Sequence, residues 1–158
     1  MTFEDLGRIL VIIPTFNELE SLPVILKRVR ESVPEAEILV ADDNSPDGTG
    51  ELVKEAAKKH KNVHLLTGQK QGLGMAYVRG MRYAMDKLNA DAVIEMDADF
   101  QHPPRFVKPM VDAYLNGADY VIGSRYVKGG SIPSEWALSR KMVSFFGNLF
   151  IRIVLLKP

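Results

Sequence analysis

The stretch "VIEMDADFQHPP", residues 93–104, carries Val93, Ile94 and Met96 into Asp97-Ala98-Asp99 and then turns at Pro103-Pro104. A short apolar run bounded by turn signals reads as a strand buried in a parallel sheet. Two ionised carboxylates one residue apart repel each other unless a cation lies between them, so the end of this strand points to a bound divalent metal. Magnesium or manganese, hard ions that take oxygen ligands, suit Asp97, Asp99 and Gln101 better than zinc does. The competing reading makes the same carboxylates turn formers or helix caps.

Outward from this stretch, similar runs recur at Ile9 to Ile13, Glu37 to Ala41, Val63 to Thr67 and Tyr120 to Gly123, with the run at Ala92 to Met96 as the fourth of five expected strands. Segments with helical spacing alternate with them, the pattern of a mostly parallel sheet covered by helices on both faces. Leu22, Ile25, Leu26, Val29 and Val33 form one helix stripe with Ser21 as its expected N-cap. A second helix follows Thr49, a third carries Tyr77, Met81, Ala84, Met85 and Leu88, and a fourth after Pro104 carries Phe106, Met110 and Tyr114. Ligands of such sheets bind outside the carboxyl ends of the strands. There the sequence places Pro14 to Glu18, Asp42 to Ser45, Asp97 to Asp99 and Ser124 to Tyr126. Asp43, Asn44, Ser45 and Asp47-Gly48 read as turn residues or caps ahead of any functional role.

The 158 residues, 46% of them hydrophobic, suffice for one sizeable core. Twenty basic and twenty acidic residues cancel, so no overall field draws in nucleic acid. The absence of cysteine removes disulfides, thiolate zinc sites and cysteine nucleophiles, and fits a reducing compartment. Glu4 and Asp5 stand where an export signal is basic. No run reaches the roughly 20 apolar residues of a membrane span, the longest being interrupted by Asn148 and Arg152. Strand one leads into "PTFNE" rather than a Gly-rich turn, which speaks against a Rossmann dinucleotide site or a P-loop. "KQGLGMAYVRG" is read two ways, as a tight turn or as backbone N–H groups and Lys70 set near a phosphate at a helix N-terminus.

Five motifs in order, "VIIPTFNE", "VADDNSPDGT", "KQGLGMAYVRG", "MDADFQHPP" and "GSRYVKGG…W…SR", resemble the family 2 glycosyltransferases, nearest the polyprenyl-phosphate (dolichyl-phosphate) mannose synthases, from Ile9 to about Leu156. The resemblance implies an α/β GT-A nucleotide-sugar-binding fold over residues 1–138, followed at 139–158 by an amphipathic helix of membrane-interface type. It implies Mg2+- or Mn2+-dependent, inverting transfer of mannose from GDP-mannose to a polyprenyl phosphate at the cytosolic face of a membrane. Carried over by position, Pro14, Phe16, Glu18, Val40, Asp42, Lys70, Asp97, Ala98 and Asp99 hold the nucleotide sugar, with Phe16 where tyrosine is commoner. Asp97, Asp99 and Gln101 hold the metal, Asp99 and Arg125 are the catalytic pair, and Arg125, Arg140 and Ser144 face the acceptor phosphate. An ion pair of Arg125 with Asp97 or Asp119 is the structural alternative.

A phosphate monoester is already largely dianionic near neutral pH, so its oxygen attacks without a general base, and none is evident after Asp99. The last helix sets Met142, Phe145, Phe146, Leu149, Phe150 and Ile153 on one face and Lys141, Ser144, Asn148 and Arg152 on the other. It reads either as docked on its own core or as lying in a lipid headgroup region. The family continues past this point, so the resemblance implies a truncation after the last helix. A UDP-sugar hexosyltransferase and a non-catalytic nucleotide-sugar-binding subunit are the rival functions.

Overall fold

The computed structural model describes residues 8–127 and 130–155, and the expectations resting on Glu4, Asp5 and Leu156 lie outside them. The protein divides into two compact units, one up to Val121 and one from Ile122.

The first unit is an α/β sandwich. In sequence order it comprises β1 (Arg8–Thr15), α1 (Leu22–Ser32), β2 (Glu37–Asp42), α2 (Thr49–Lys59), β3 (Val63–Thr67), α3 (Leu73–Leu88), β4 (Ala90–Glu95), a single 3-10 turn (Pro104–Phe106) and α4 (Val107–Leu115). The four strands are all parallel, in the order β3-β2-β1-β4. Side-chain alternation along β1 explains why the strand is apolar throughout. Ile9, Val11 and Ile13 enter one core with Leu22, Ile25, Leu26 and Val29 of α1, Val53 of α2, and Val107 and Val111 of α4. Leu10 and Ile12 enter the other with Ala84 and Leu88 of α3. Each large side chain so buried stabilises the fold by roughly 1.5–3 kcal/mol. Gly80 lets α3 lie close on the sheet, since a Cβ there stands 2.8 Å from Ile12 Cγ2.

Four expectations need correction. Tyr120 to Gly123 is not a strand among the described residues: Tyr120 and Ile122 are 83% and 71% exposed, so their alternation has no surface to cover. The buried stripe of the fourth helix is Val107 and Val111, one residue on from the expected Phe106 and Met110, because the segment opens with a 3-10 turn that swings Phe106 outward beneath the Arg105 guanidinium. On α3, Met85 is exposed, and the buried positions are Ala76, Gly80, Ala84 and Leu88. Ser21 occupies the N-cap position of α1 without capping it, its Oγ donating instead to Glu18 Oε2 at 2.6 Å.

The register sets the site. Thr15 lies beside Asp42, and Asp42 beside Thr67, so three strands end in one row. The backbone runs outward from β1 through β2 to β3 and then returns to place β4 on the other side of β1. This reversal of strand order is where open α/β sheets bind ligands.

The second unit carries α5 (Leu138–Leu155), preceded by turns. Met142, Phe145, Phe146, Leu149, Phe150 and Ile153 are all exposed. Among the described residues, no helix is long and apolar enough to cross a membrane.

Candidate active site

Two loops meet at the ends of β1 and β2 and are tied together by side chains. Thr15 Oγ1 donates to Asp42 Oδ1 at 2.9 Å, and Ser45 donates its N–H to Asp42 Oδ2 at 2.9 Å and its hydroxyl to Oδ1. Asp42 is 2% exposed, so its carboxylate works inward, as the pin between the loops. Asn17 N–H donates to Ser45 Oγ, and Glu18 N–H to Thr49 Oγ1. Asp47 accepts from Thr49 N–H, Thr49 Oγ1 and Leu19 N–H, and the Thr49 hydroxyl is the chief reason its carboxyl lies below the usual range. Asp47 thus serves as the turn and cap former that its loop position predicts. Asn17 and Asn44 adopt left-handed backbone, which asparagine tolerates better than most residues.

Pro14 and Val40 are buried in the strands beneath this loop pair. Phe16 stands at its rim, 36% exposed, with the Lys70 ammonium 3.3 Å from its ring centroid. The β3–α3 loop that carries Lys70 is thereby drawn to the β1–α1 loop by a cation–π contact. Gly72, in positive φ, precedes α3, and a Cβ at Gly72 or Gly74 meets nothing within 4 Å, so the glycines leave open space rather than relieve a clash.

Asp43, expected as a turn residue, forms a nearly buried ion pair: Arg79 Nη2 lies 2.6 Å from its Oδ1. The guanidinium reaches it by lying flat over Gly68, where a Cβ stands 2.4 Å from Arg79 Cζ. Glycine at 68 is what makes room for this pair.

At the end of β4, Ala98 is buried in the core while Asp97 and Asp99 face outward to different degrees. Asp97 Oδ1 accepts the Tyr77 hydroxyl at 2.7 Å. Burial, then this hydrogen bond and the charge of Asp97, push the Tyr77 phenol well above its ordinary pKa, so it stays a donor. Asp97 N–H donates to His102 Nδ1 at 3.1 Å, and Asp97 Oδ2 lies 3.5 Å from the same nitrogen. Asp99 is exposed, and its Oδ1 accepts Gln101 N–H at 2.9 Å across a turn in which Phe100 is left-handed.

The donor set fits a hard divalent cation. Each carboxylate oxygen has two acceptor sites, and the hydrogen bonds described use only part of them. Among the described residues no three His, Cys, Asp or Glu side chains cluster for a metal. Carboxylate oxygens are the donor type that magnesium-type ions take, and such ions commonly complete their coordination with phosphates.

In the second unit, Arg125 and Arg140 converge on one ring, with their Cζ atoms 5.0 and 4.1 Å from the Trp136 centroid. Ser144 Oγ, one helical turn after Arg140, accepts the Tyr126 hydroxyl at 2.9 Å. The three residues expected at the acceptor phosphate thus share one unit. Tyr77, Arg79, His102 and Trp136 are the neighbours that sequence reading did not assign.

The parallel sheet with its switch point between β1 and β4 and its loops tied at the carboxyl ends is an α/β fold that the comparisons group with the GT-A glycosyltransferases. Residues 10–156 match Glycosyl transferase family 2, and the protein belongs to that family. It is 47% identical over 149 residues to the undecaprenyl-phosphate mannosyltransferase of Micrococcus luteus, covering 94% of this chain and 60% of that one. It is 43% identical over 156 residues to the polyprenol monophosphomannose synthase of Mycolicibacterium smegmatis, covering 98% and 58%. The dolichol-phosphate mannosyltransferase of Pyrococcus furiosus is 38% identical over 152 residues, covering 95% and 42%. The sequence therefore spans only part of the length of these relatives. The solved mannosyltransferase PcManGT from Pyrobaculum calidifontis, in complex with GDP-Man and Mn2+, superposes with a TM-score of 0.52 at 28% identity, covering 63% of this chain and 30% of that one.

Proposed function

We propose that this protein is the nucleotide-sugar-binding part of a polyprenyl-phosphate mannosyltransferase that moves mannose from GDP-mannose to a lipid phosphate with inversion at the anomeric carbon. The observation that carries this reading is the pair Asp97 and Asp99 at the end of β4, set at the switch point of the sheet, in a sequence whose relatives are named for undecaprenyl, polyprenol and dolichol phosphates.

Asp97, Asp99 and Gln101 are the residues proposed to hold Mg2+ or Mn2+. When bound there, the ion offsets the negative charge that builds on the departing diphosphate. Phe16, Glu18 and the buried frame of Pro14, Val40 and Asp42 shape the nucleotide side, with Lys70 near its phosphates. Arg125 and Arg140 orient the acceptor, their guanidinium forks suited to phosphate oxygens, with Ser144 beside them. The acceptor monoester, with a second pKa near 6, is mostly dianionic at neutral pH. One of its oxygens forms the new bond to the anomeric carbon as the bond to GDP breaks, and no proton has to be removed. Positioning of the two substrates then supplies much of the rate.

The exposed apolar residues of α5, Val143 at 74% and Phe150 at 66% among them, support a peripheral placement at a membrane surface, on the cytosolic face where nucleotide sugars are held.

The test is to titrate GDP and UDP with and without manganese, then assay mannosyl transfer to a polyprenyl phosphate. GDP-selective, metal-dependent binding with transfer is the expected result. A preference for UDP assigns a different hexosyl donor. Because the sequence spans 60% or less of its named relatives, binding without transfer assigns it the donor-binding role alone.

A further inference from the structure

Among the described residues, four non-glycine positions take left-handed backbone. Asn17, Asn44 and Asn89 carry the short polar side chain that tolerates this region, whereas the fourth is Phe100, at φ 62°. A bulky residue there sets its Cβ against the following carbonyl oxygen. The turn from Asp99 to Gln101 is therefore held in a conformation that Phe100 by itself disfavours, and something around it has to compensate. Burial in the core is not that compensation, because Phe100 is 41% exposed.

The chain is anchored on both sides of the turn. Met96 and Ala98 are buried before it and Pro104 after it, and the rings of Pro103 and Pro104 fix the backbone where it leaves. Between these anchors the apex is gripped from α1: Arg28 Cζ lies 5.8 Å from the centroid of the Phe100 ring. Phe100, Arg28, Pro103, Pro104 and Arg105 line one groove of about 390 Å³. Glu31 and Asp112, the carboxylates of the adjoining groove, are taken by Lys27 at 3.8 Å and Lys108 at 2.9 Å. Arg28 pairs with no carboxylate among the described residues, and the ring is what its charge meets. Leu22, Ile25, Leu26 and Val29 fix α1 in the core, so the contact ties the turn to a rigid element.

We infer that Phe100 is a positioning residue whose ring, gripped by Arg28, locks the left-handed turn that presents Asp99 to the divalent cation. This rests on the reading of Asp99 as a metal ligand and adds to it the strut that sets its geometry. A ligand already held in its bound conformation loses less freedom when the ion arrives, which is how a braced turn raises affinity. The ring acts on the ion only through the backbone of the turn.

The probe is manganese, titrated at fixed GDP with free ion read by paramagnetic resonance, and metal-free urea melts establish that each variant is folded. Arg28→Ala lowers manganese affinity about 3-fold, the loss of one exposed cation–π contact. Phe100→Gly lowers it by roughly 10-fold, since it removes the ring and also frees the backbone that carries Asp99. The sign of the Arg28 effect is diagnostic, because deleting a cation near a metal site raises metal affinity when charge alone acts. The double variant binds no more weakly than Phe100→Gly, as Arg28 works through the ring. Phe100→Tyr, which keeps the ring, stays within about two-fold of wild type. Manganese affinity at or above wild type in Phe100→Gly or Arg28→Ala overturns the strut, and so do losses that add in the double variant. Asp99→Ala tests the metal reading by itself: if it binds GDP with manganese as wild type does, that reading fails and the inference falls with it.

Discussion

Tyr77→Phe isolates one hydrogen bond in the proposed metal site. The phenol lies 2.7 Å from Asp97 Oδ1, and its replacement removes one oxygen while leaving the ring against the sheet. A hydrogen bond to an ionised group contributes roughly 1.5–3 kcal/mol. The Asp97 side chain is 29% exposed, so water replaces the donor in part, and the lower end, about 1.5 kcal/mol, applies. If Asp97 holds the ion, its orientation is what the phenol maintains, and losing a partner of this kind weakens metal binding by about 10-fold or more. The assay is manganese titration at fixed GDP, with binding of GDP alone as control. The same variant has an alkaline signature. The folded pKa of Tyr77 is raised, so its contribution is complete below the unfolded value near 10 and is lost as pH climbs beyond it. Urea melts of the wild type from pH 9 to 11 should therefore show a destabilising slope that grows toward about one proton more than that of Tyr77→Phe at the upper end of the range. Unchanged manganese affinity together with an unchanged alkaline slope would refute both the contact and the orienting role.

Asp99→Ala should abolish manganese-dependent GDP binding while leaving the metal-free urea midpoint nearly unchanged, because its carboxylate is exposed and serves only a local turn; normal manganese-dependent binding removes Asp99 from the metal site. Asp42→Asn should lower stability by about 1–3 kcal/mol, since an amide nitrogen replaces one of two buried oxygens that accept from Thr15 and Ser45; an unchanged urea midpoint means the loop pin is not what Asp42 provides. Arg79→Ala should cost about 3 kcal/mol in urea unfolding by stranding the Asp43 carboxylate, itself 8% exposed, and Gly68→Ala should show part of the same loss by displacing the guanidinium. Equal midpoints for Arg79→Ala and wild type place the pair among surface ion pairs, which contribute little.

The contrast between Asp42 and Asp97 shows what the linear order of residues can carry. Strand ends were legible because burial on both faces makes β1 and β2 largely apolar, while the partly buried β4 carries the shorter run Ala92 to Ile94, and Thr15, Asp42 and Asp97 stand out as polar residues where or just after those strands end. Which way a carboxylate points was not legible. Asp42 turns inward because Thr15 lies directly beside it in the parallel register and Ser45 folds back on it, whereas Asp97 meets Tyr77, twenty positions earlier on a helix. The pairing of Asp43 with Arg79 spans thirty-six positions and depends on the missing side chain of Gly68. Local spacing encodes none of these separations. The same cause accounts for Tyr120 to Gly123. Alternating apolar residues announce a strand only when a neighbour takes their hydrogen bonds and their side chains, and here the exposed Tyr120 and Ile122 show that neither is supplied by the described residues. A sequence thus names a strand whose side chains a core takes up more securely than an apolar alternation that nothing covers, and names a carboxylate at a strand end more securely than the phenol or guanidinium that meets it.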